Sequence, residues 1–217
     1  MKLQMLGTVL AITLCAPALA QTPNERPFGF HVGAGFSATT GTADRYLDDG
    51  WIVSGGVDWH PNPDLPLTLS LDAHYSDYDA TNELINLGTV ATRTRIDDGD
   101  GSTLGADVNA TYGVPLGSRL RGYIVAGAGI DRRRIELTQT VLFNGFVCDP
   151  FWGFCGIGAV PGDVIVARNS TTRFAWNAGL GLELPVGNGA WFFDARFRRI
   201  ETTRPTEYVP IQIGYRF

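Results

Sequence analysis

Asp72, His74 and Ser76 stand at alternate positions of one short segment, LSLDAHYS. An acid, an imidazole and a hydroxyl are the parts of a nucleophilic triad, in which the imidazole takes the hydroxyl proton and the acid orients the imidazole. At i, i+2 spacing in an extended chain the three side chains point in parallel. Parallel side chains do not by themselves make the two successive hydrogen bonds that a triad needs. The reading is therefore a protein that is not an enzyme, with no catalytic residue, cofactor or metal.

The cysteines point to a compartment. Lys2, the apolar run Leu3 to Ala16 and Ala18-Leu19-Ala20 have the layout of a secretory signal peptide, residues 1–20, cut after Ala20. Cys15 follows Leu14 rather than a small residue, which argues against lipidation, and it leaves with the signal. Cys148 and Cys155 remain, an even pair in an exported chain. The segment between them holds Pro150 and Gly153 and can turn back on itself, so a local disulfide is the natural reading. A zinc site is the rival, but it needs four ligands and no His or further Cys lies nearby.

Other motifs carry less chemistry. Arg132-Arg133-Arg134 could hold phosphates, since guanidinium groups match them well; a solvated loop base is the plainer reading. The glycine pairs Gly33/Gly35 and Gly127/Gly129 fall inside extended segments with no helix to follow, so they are not phosphate loops. The net charge of −5 argues against a nucleic-acid partner.

The elements that must position these residues are strands. Apolar residues recur at period two, not 3.6. Phe28, Phe30, Val32, Ala34 and Phe36 alternate with Gly29, His31, Gly33 and Gly35. Trp51, Val53, Val57 and Trp59 alternate with Ser54 and Asp58, and Leu69, Leu71, Ala73 and Tyr75 with Asp72 and His74. Leu104, Ala106, Val108 and Tyr112 alternate with Asp107 and Asn109, and Ile124, Ala126, Ala128 and Ile130 with Arg121, Gly127, Gly129 and Asp131. In this fifth segment Tyr123 and Val125 fall on the polar face. Phe174, Trp176, Leu180, Leu182 and Leu184 alternate with Asn177 and Glu183. Trp191, Phe193 and Phe197 alternate with Asp194, Arg196 and Arg198, and Ile211, Ile213, Tyr215 and Phe217 with Gln212 and Arg216.

Eight such segments are joined by connections that alternate in length. Residues 60–66, 114–119 and 185–190 are short and rich in Pro or Gly, whereas 39–49, 79–101 and 137–170 are long. Strand extensions are expected over 84–96. One rim therefore carries tight turns and the other carries loops, as in an up-and-down transmembrane barrel. A soluble barrel would also alternate, with the apolar face inside. Two observations favour the inverted arrangement. The polar face holds charges of both signs deep within strands: His31, Asp58, Asp72, His74, Asp107, Glu183, Asp194, Arg196, Arg198 and Arg216. Aromatics collect at strand ends in two girdles: Trp59, Tyr112, Trp191 and Tyr215 at the turn rim, Trp51, Tyr75 and Trp176 at the loop rim. The mean hydropathy of +0.01 is then two interleaved sets that cancel.

The last ten residues, YVPIQIGYRF, resemble the closing strand of bacterial outer-membrane β-barrels, and the eight segments with the signal peptide resemble the small OmpA/OmpX- and opacity-type barrels. The resemblance implies an all-β fold, an eight-stranded antiparallel barrel over 28–217, with 21–27 a short periplasmic segment and both termini in the periplasm. It implies that Ile213, Tyr215 and Phe217 are read by the outer-membrane assembly machinery. The expected surroundings are outer-membrane lipid and lipopolysaccharide, and the expected state is a monomer. Eight strands leave an interior that side chains fill, so the charged set reads as an internal ion-pair plug, with a narrow passive pore as the alternative. A lipid-A-modifying barrel enzyme, carried by His74 and Ser76, is a remoter one. The 137–170 loop, with Phe146, Phe151, Trp152 and Phe154 around the cysteines, is the candidate surface for an extracellular ligand, or else a lid over the barrel mouth. The role expected is structural or surface-interacting.

Overall fold

In the computed structural model the described residues are 27–62, 65–117, 120–148, 155–203 and 205–217. The signal peptide and most of the segment 21–27 lie outside them. Eight antiparallel strands follow in chain order: β1 (Phe28–Thr40), β2 (Leu47–Trp59), β3 (Leu67–Ala80), β4 (Asp98–Pro115), β5 (Arg121–Cys148), β6 (Cys155–Val186), β7 (Gly189–Ile200) and β8 (Thr206–Arg216). Each pairs with its neighbour in sequence, and β1 pairs with β8 from His31↔Arg216 to Thr40↔Glu207, which closes the barrel.

The period-two pattern decides which way each side chain points. Phe30, Leu71, Val108, Ile124, Leu180 and Ile213 all face outward and are more than half exposed. Their polar neighbours His31, Asp72, Asp107, Asn109, Asn177 and Gln212 are buried inside. An apolar exterior around a polar interior is stable only where the surroundings are apolar, so this band of the barrel faces lipid. In β5 the apolar–small alternation holds the register: Tyr123 and Val125 turn inward and pack with Phe192.

Two expectations are corrected. The 79–101 connection contains a helix, α1 (Asn82–Thr92), where strand extensions were expected. Thr81 caps it by accepting from Leu84 N, and Arg93 ends it at φ 55°. A Cβ at Gly88 would stand 2.7 Å from both Ile96 Cδ1 and Leu137 Cδ1, so glycine lets the helix lie against those two side chains. The second correction is the 137–170 loop, which is mostly strand. β5 and β6 stay paired out to Cys148↔Cys155, with a register shift at Leu137/Thr138. The pairing of β5 with β4 stops at Asp98↔Thr138. Beyond that point β5 and β6 form a two-stranded arm about 35 Å long at ~3.3 Å per residue. Its glycines and its solvated faces blur the alternation that identifies strands elsewhere.

Candidate functional site: the filled lumen and the loop-rim arm

All eight strands contribute to the first polar layer, towards the turn rim. The Arg216 guanidinium donates to Glu183 at 2.9 Å, lies 3.6 Å from Asp58, and stacks near Tyr123 and Phe192 with ring distances of 5.4 and 5.5 Å. His31 is held between Asp58 at 3.1 Å and Asp72 at 3.4 Å. Arg196 donates to Asp194 from two nitrogens, at 3.0 and 2.8 Å, and to Asp72 at 3.2 Å. Tyr123 Oη donates to Asp194, and Asn109 to Asp72.

The second layer lies one step towards the loop rim. Arg198 spans two carboxylates, Asp107 at 2.5 and 2.7 Å and Asp131 at 2.8 and 2.7 Å. His74 lies between the same pair, 3.6 Å from Asp107 and 3.2 Å from Asp131. A Cβ on Gly105 would stand 1.8 Å from Asp131 Oδ1, so only glycine there leaves room for this contact. Between the layers is a cavity of about 20 Å³ bordered by His74, Asn177, Arg196 and Gln212. That is space for about one water.

Apolar and aromatic side chains interleave with the charges and bound them at the loop end. Tyr123, Val125 and Phe192 pack within the first layer, with Glu183 and Arg216 on their turn-rim side, and Ala175, Ile200 and Tyr208 lie at the loop end, with Tyr78 6.0 Å from Tyr208. Tyr208 Oη donates to Asp131 at 3.2 Å. Every charged residue expected in the lumen points inward. Sequence spacing did not single out Asp131, Tyr208 or the Asn109–Asn177 bridge at 2.9 Å. The parity of their strands was the available signal.

Asp72, His74 and Ser76 are all buried in this interior. His74 is engaged with Asp107 and Asp131, not aligned between Asp72 and Ser76. The arginine triplet is split by strand alternation: Arg132 and Arg134 face outward, whereas Arg133 turns in and donates to Thr206 at 2.6 Å. A single three-arginine patch is thereby corrected. Outward at this level Arg134 and Arg168 both contact Glu136. Beyond the apolar band the Asp100 carboxyl is raised above its ordinary value, first by partial burial, then by Asp98, Asp77, Asp79 and Glu136.

The aromatic pairs lie at the two borders of the apolar band. Trp191 meets Tyr215 at 5.4 Å and Tyr215 meets Phe217 at 4.9 Å at the turn rim, where Trp59 and Tyr112 are 44% and 49% exposed. Trp51 meets Tyr75 at 5.4 Å and Trp176 meets Phe197 at 5.6 Å at the loop rim. The arm is closed by a Cys148–Cys155 disulfide and exposes Leu142 (71%), Phe143 (51%) and Ile157 (82%). Phe146 lies on β5, and Phe151, Trp152 and Phe154 fall outside the described residues.

A closed eight-stranded barrel with a lipid-facing exterior and a charge-filled lumen defines a transmembrane β-barrel of the bacterial outer-membrane type. Residues 6–217 match the outer membrane protein beta-barrel domain, and the chain belongs to that family. Its fold is similar to that of Neisserial surface protein A, at 13% identity and TM-score 0.53, covering 88% of this chain and 96% of that one. It is likewise similar to a major outer membrane protein of Thermus thermophilus, at 14% identity and TM-score 0.50, covering 88% of this chain and 100% of that one. No curated protein matches it in sequence.

Proposed function

We propose that the protein is a closed outer-membrane barrel that holds an interaction arm at the cell surface, without enzymatic activity. The observation that carries this reading is the arm: a disulfide-closed hairpin with large apolar side chains exposed, mounted on a rigid barrel. Exposed apolar clusters of this kind mark contact surfaces. The loop rim then faces outward from the cell and the turn rim, with both chain ends, faces the periplasm. Deleting 141–162, which removes Leu142, Phe143, Ile157 and the disulfide and joins the paired residues Thr140 and Asp163, should abolish adhesion of cells that display the protein while leaving the heat-modifiable gel shift of the barrel intact. Equal adhesion with and without the segment overturns the arm reading.

The lumen supports a plug over a pore. Six carboxylates (Asp58, Asp72, Asp107, Asp131, Glu183, Asp194) meet three guanidinium groups and two imidazoles, and an apolar layer of Ala175, Ile200 and Tyr208 bounds them at the loop end. Purified protein in planar bilayers is expected to show no steady conductance, and a stable open level overturns the plug. The remaining partners belong to the same reading: a monomer inserted through its closing strand (Ile213, Tyr215, Phe217), with Arg132 and Arg134 facing lipopolysaccharide phosphates.

A further inference from the structure

A cavity of about 270 Å³ opens at the loop rim, above the second polar layer. Its walls come from four parts of the chain: the β1–β2 connection, α1, the inner face of β5 and the start of β8. Leu47, Leu84, Leu87 and Ile135 make it apolar, and among the described residues Arg133 is its one charged lining residue. The wall is built rather than incidental. Thr81 N donates to Tyr46 O at 3.0 Å, Thr81 Oγ1 donates to Arg45 O at 2.7 Å, and Arg45 pairs with Glu83 at 3.8 Å, which clasps the connection to the helix.

Arg133 differs from the other inward arginines. Arg196, Arg198 and Arg216 each meet two carboxylates. Among the described residues Arg133 has no carboxylate within 4.0 Å, and its side-chain partner is the Thr206 hydroxyl at 2.6 Å. A guanidinium carries five N–H donors in a planar fork suited to a carboxylate. A half-buried cation in an apolar pocket is electrostatically incomplete without an anion.

We propose that this cavity binds a small apolar monoanion, a carboxylate with an aliphatic or single-ring body, its head on Arg133 and its body against Leu84, Leu87 and Ile135. The volume lies just below the ~300–1,000 Å³ of drug-sized sites, which suits a medium-chain acid and not a multi-chain lipid. The inference is independent of the arm, and its test leaves the arm intact.

The test is titration of the full mature protein in nanodiscs with octanoate, followed by amide chemical shifts and corrected with empty nanodiscs. Saturable one-site binding is expected, with octylammonium and octanol at least tenfold weaker. Arg133→Gln should weaken octanoate at least tenfold. Leu87→Glu, on a helix outside the barrel wall, should do the same with the gel shift unchanged. Nanodiscs of zwitterionic lipid alone and nanodiscs containing phosphatidylglycerol separate the sources of the anion. Equal affinity in both assigns the acid to the aqueous phase, and competition by the two-chain anionic lipid overturns the single-chain assignment. Octanoate binding that does not saturate, or that is unchanged in both variants, overturns the proposal.

Discussion

Within the membrane band the inward positions of β4 and β5 carry Asn109, Asp107 and Asp131, and the outward ones carry Val108, Ala106 and Ile130. A few residues further along the same strands the parity is unchanged but the chemistry is reversed. Inward come Ile135 and Leu137, against Ile96 of the α1 region, and outward come Arg132, Arg134, Glu136 and Asp100. β3 does likewise, with Tyr75 followed outward by Asp77 and Asp79 and Tyr78 turned inward. The ladder does not change at this point, so the surroundings do. Below it lipid takes the apolar face, and above it water takes the polar one. The height at which polarity reverses is therefore a membrane boundary written into side chains.

The largest effect that would test this contrast lies in the lumen. Arg198→Ala leaves Asp107 and Asp131 without their guanidinium, and breaking a buried ion network typically costs about 3–5 kcal/mol. Urea unfolding in lipid vesicles should show a loss of that order, and a loss below about 1 kcal/mol would mean that water reaches the layer. The outer face gives the next effect. Val108→Arg, in mid-band, should cost about 2–4 kcal/mol, whereas Ser102→Arg, past the boundary on the same strand and face, should cost about 0–1 kcal/mol. Equal costs would break the boundary assignment. The smallest effect is electrostatic. Because the Asp100 carboxyl is raised in the folded state, its protonated form favours folding, and that contribution is lost as pH rises through the folded value. Asp100→Asn should thus give a gain of a few tenths of a kcal/mol at pH 7, of the size that exposed charges carry. The gain should vanish as pH falls below the ordinary value of 3.8.

How much of this was legible in the sequence followed the same boundary. In β8 the alternation Ile211, Ile213, Tyr215, Phe217 reads without ambiguity, because lipid on one side and ion pairs on the other leave each position one acceptable chemistry. β5 was harder where Tyr123 and Val125 turn inward, since apolar packing inside a polar lumen breaks the pattern locally. Asp131 was visible by parity, but its partner Arg198 is 67 residues away and no spacing announces that pairing. Past the boundary the signal failed. The arm is solvated on both faces, so period two had nothing to select, and α1 was passed over although Thr81 and Glu83 mark its start.

The seam between β1 and β8 also sets an order of events. His31↔Arg216 joins the first strand to the last, so no partial chain can close the ring. Until β8 arrives, β1 and β7 present two open edges, each a template for pairing with another molecule. Arg216, which reaches Glu183 and Asp58, is also the last lumen charge to be delivered. Ring closure is therefore the last pairing the chain can make, a late contact of very long range.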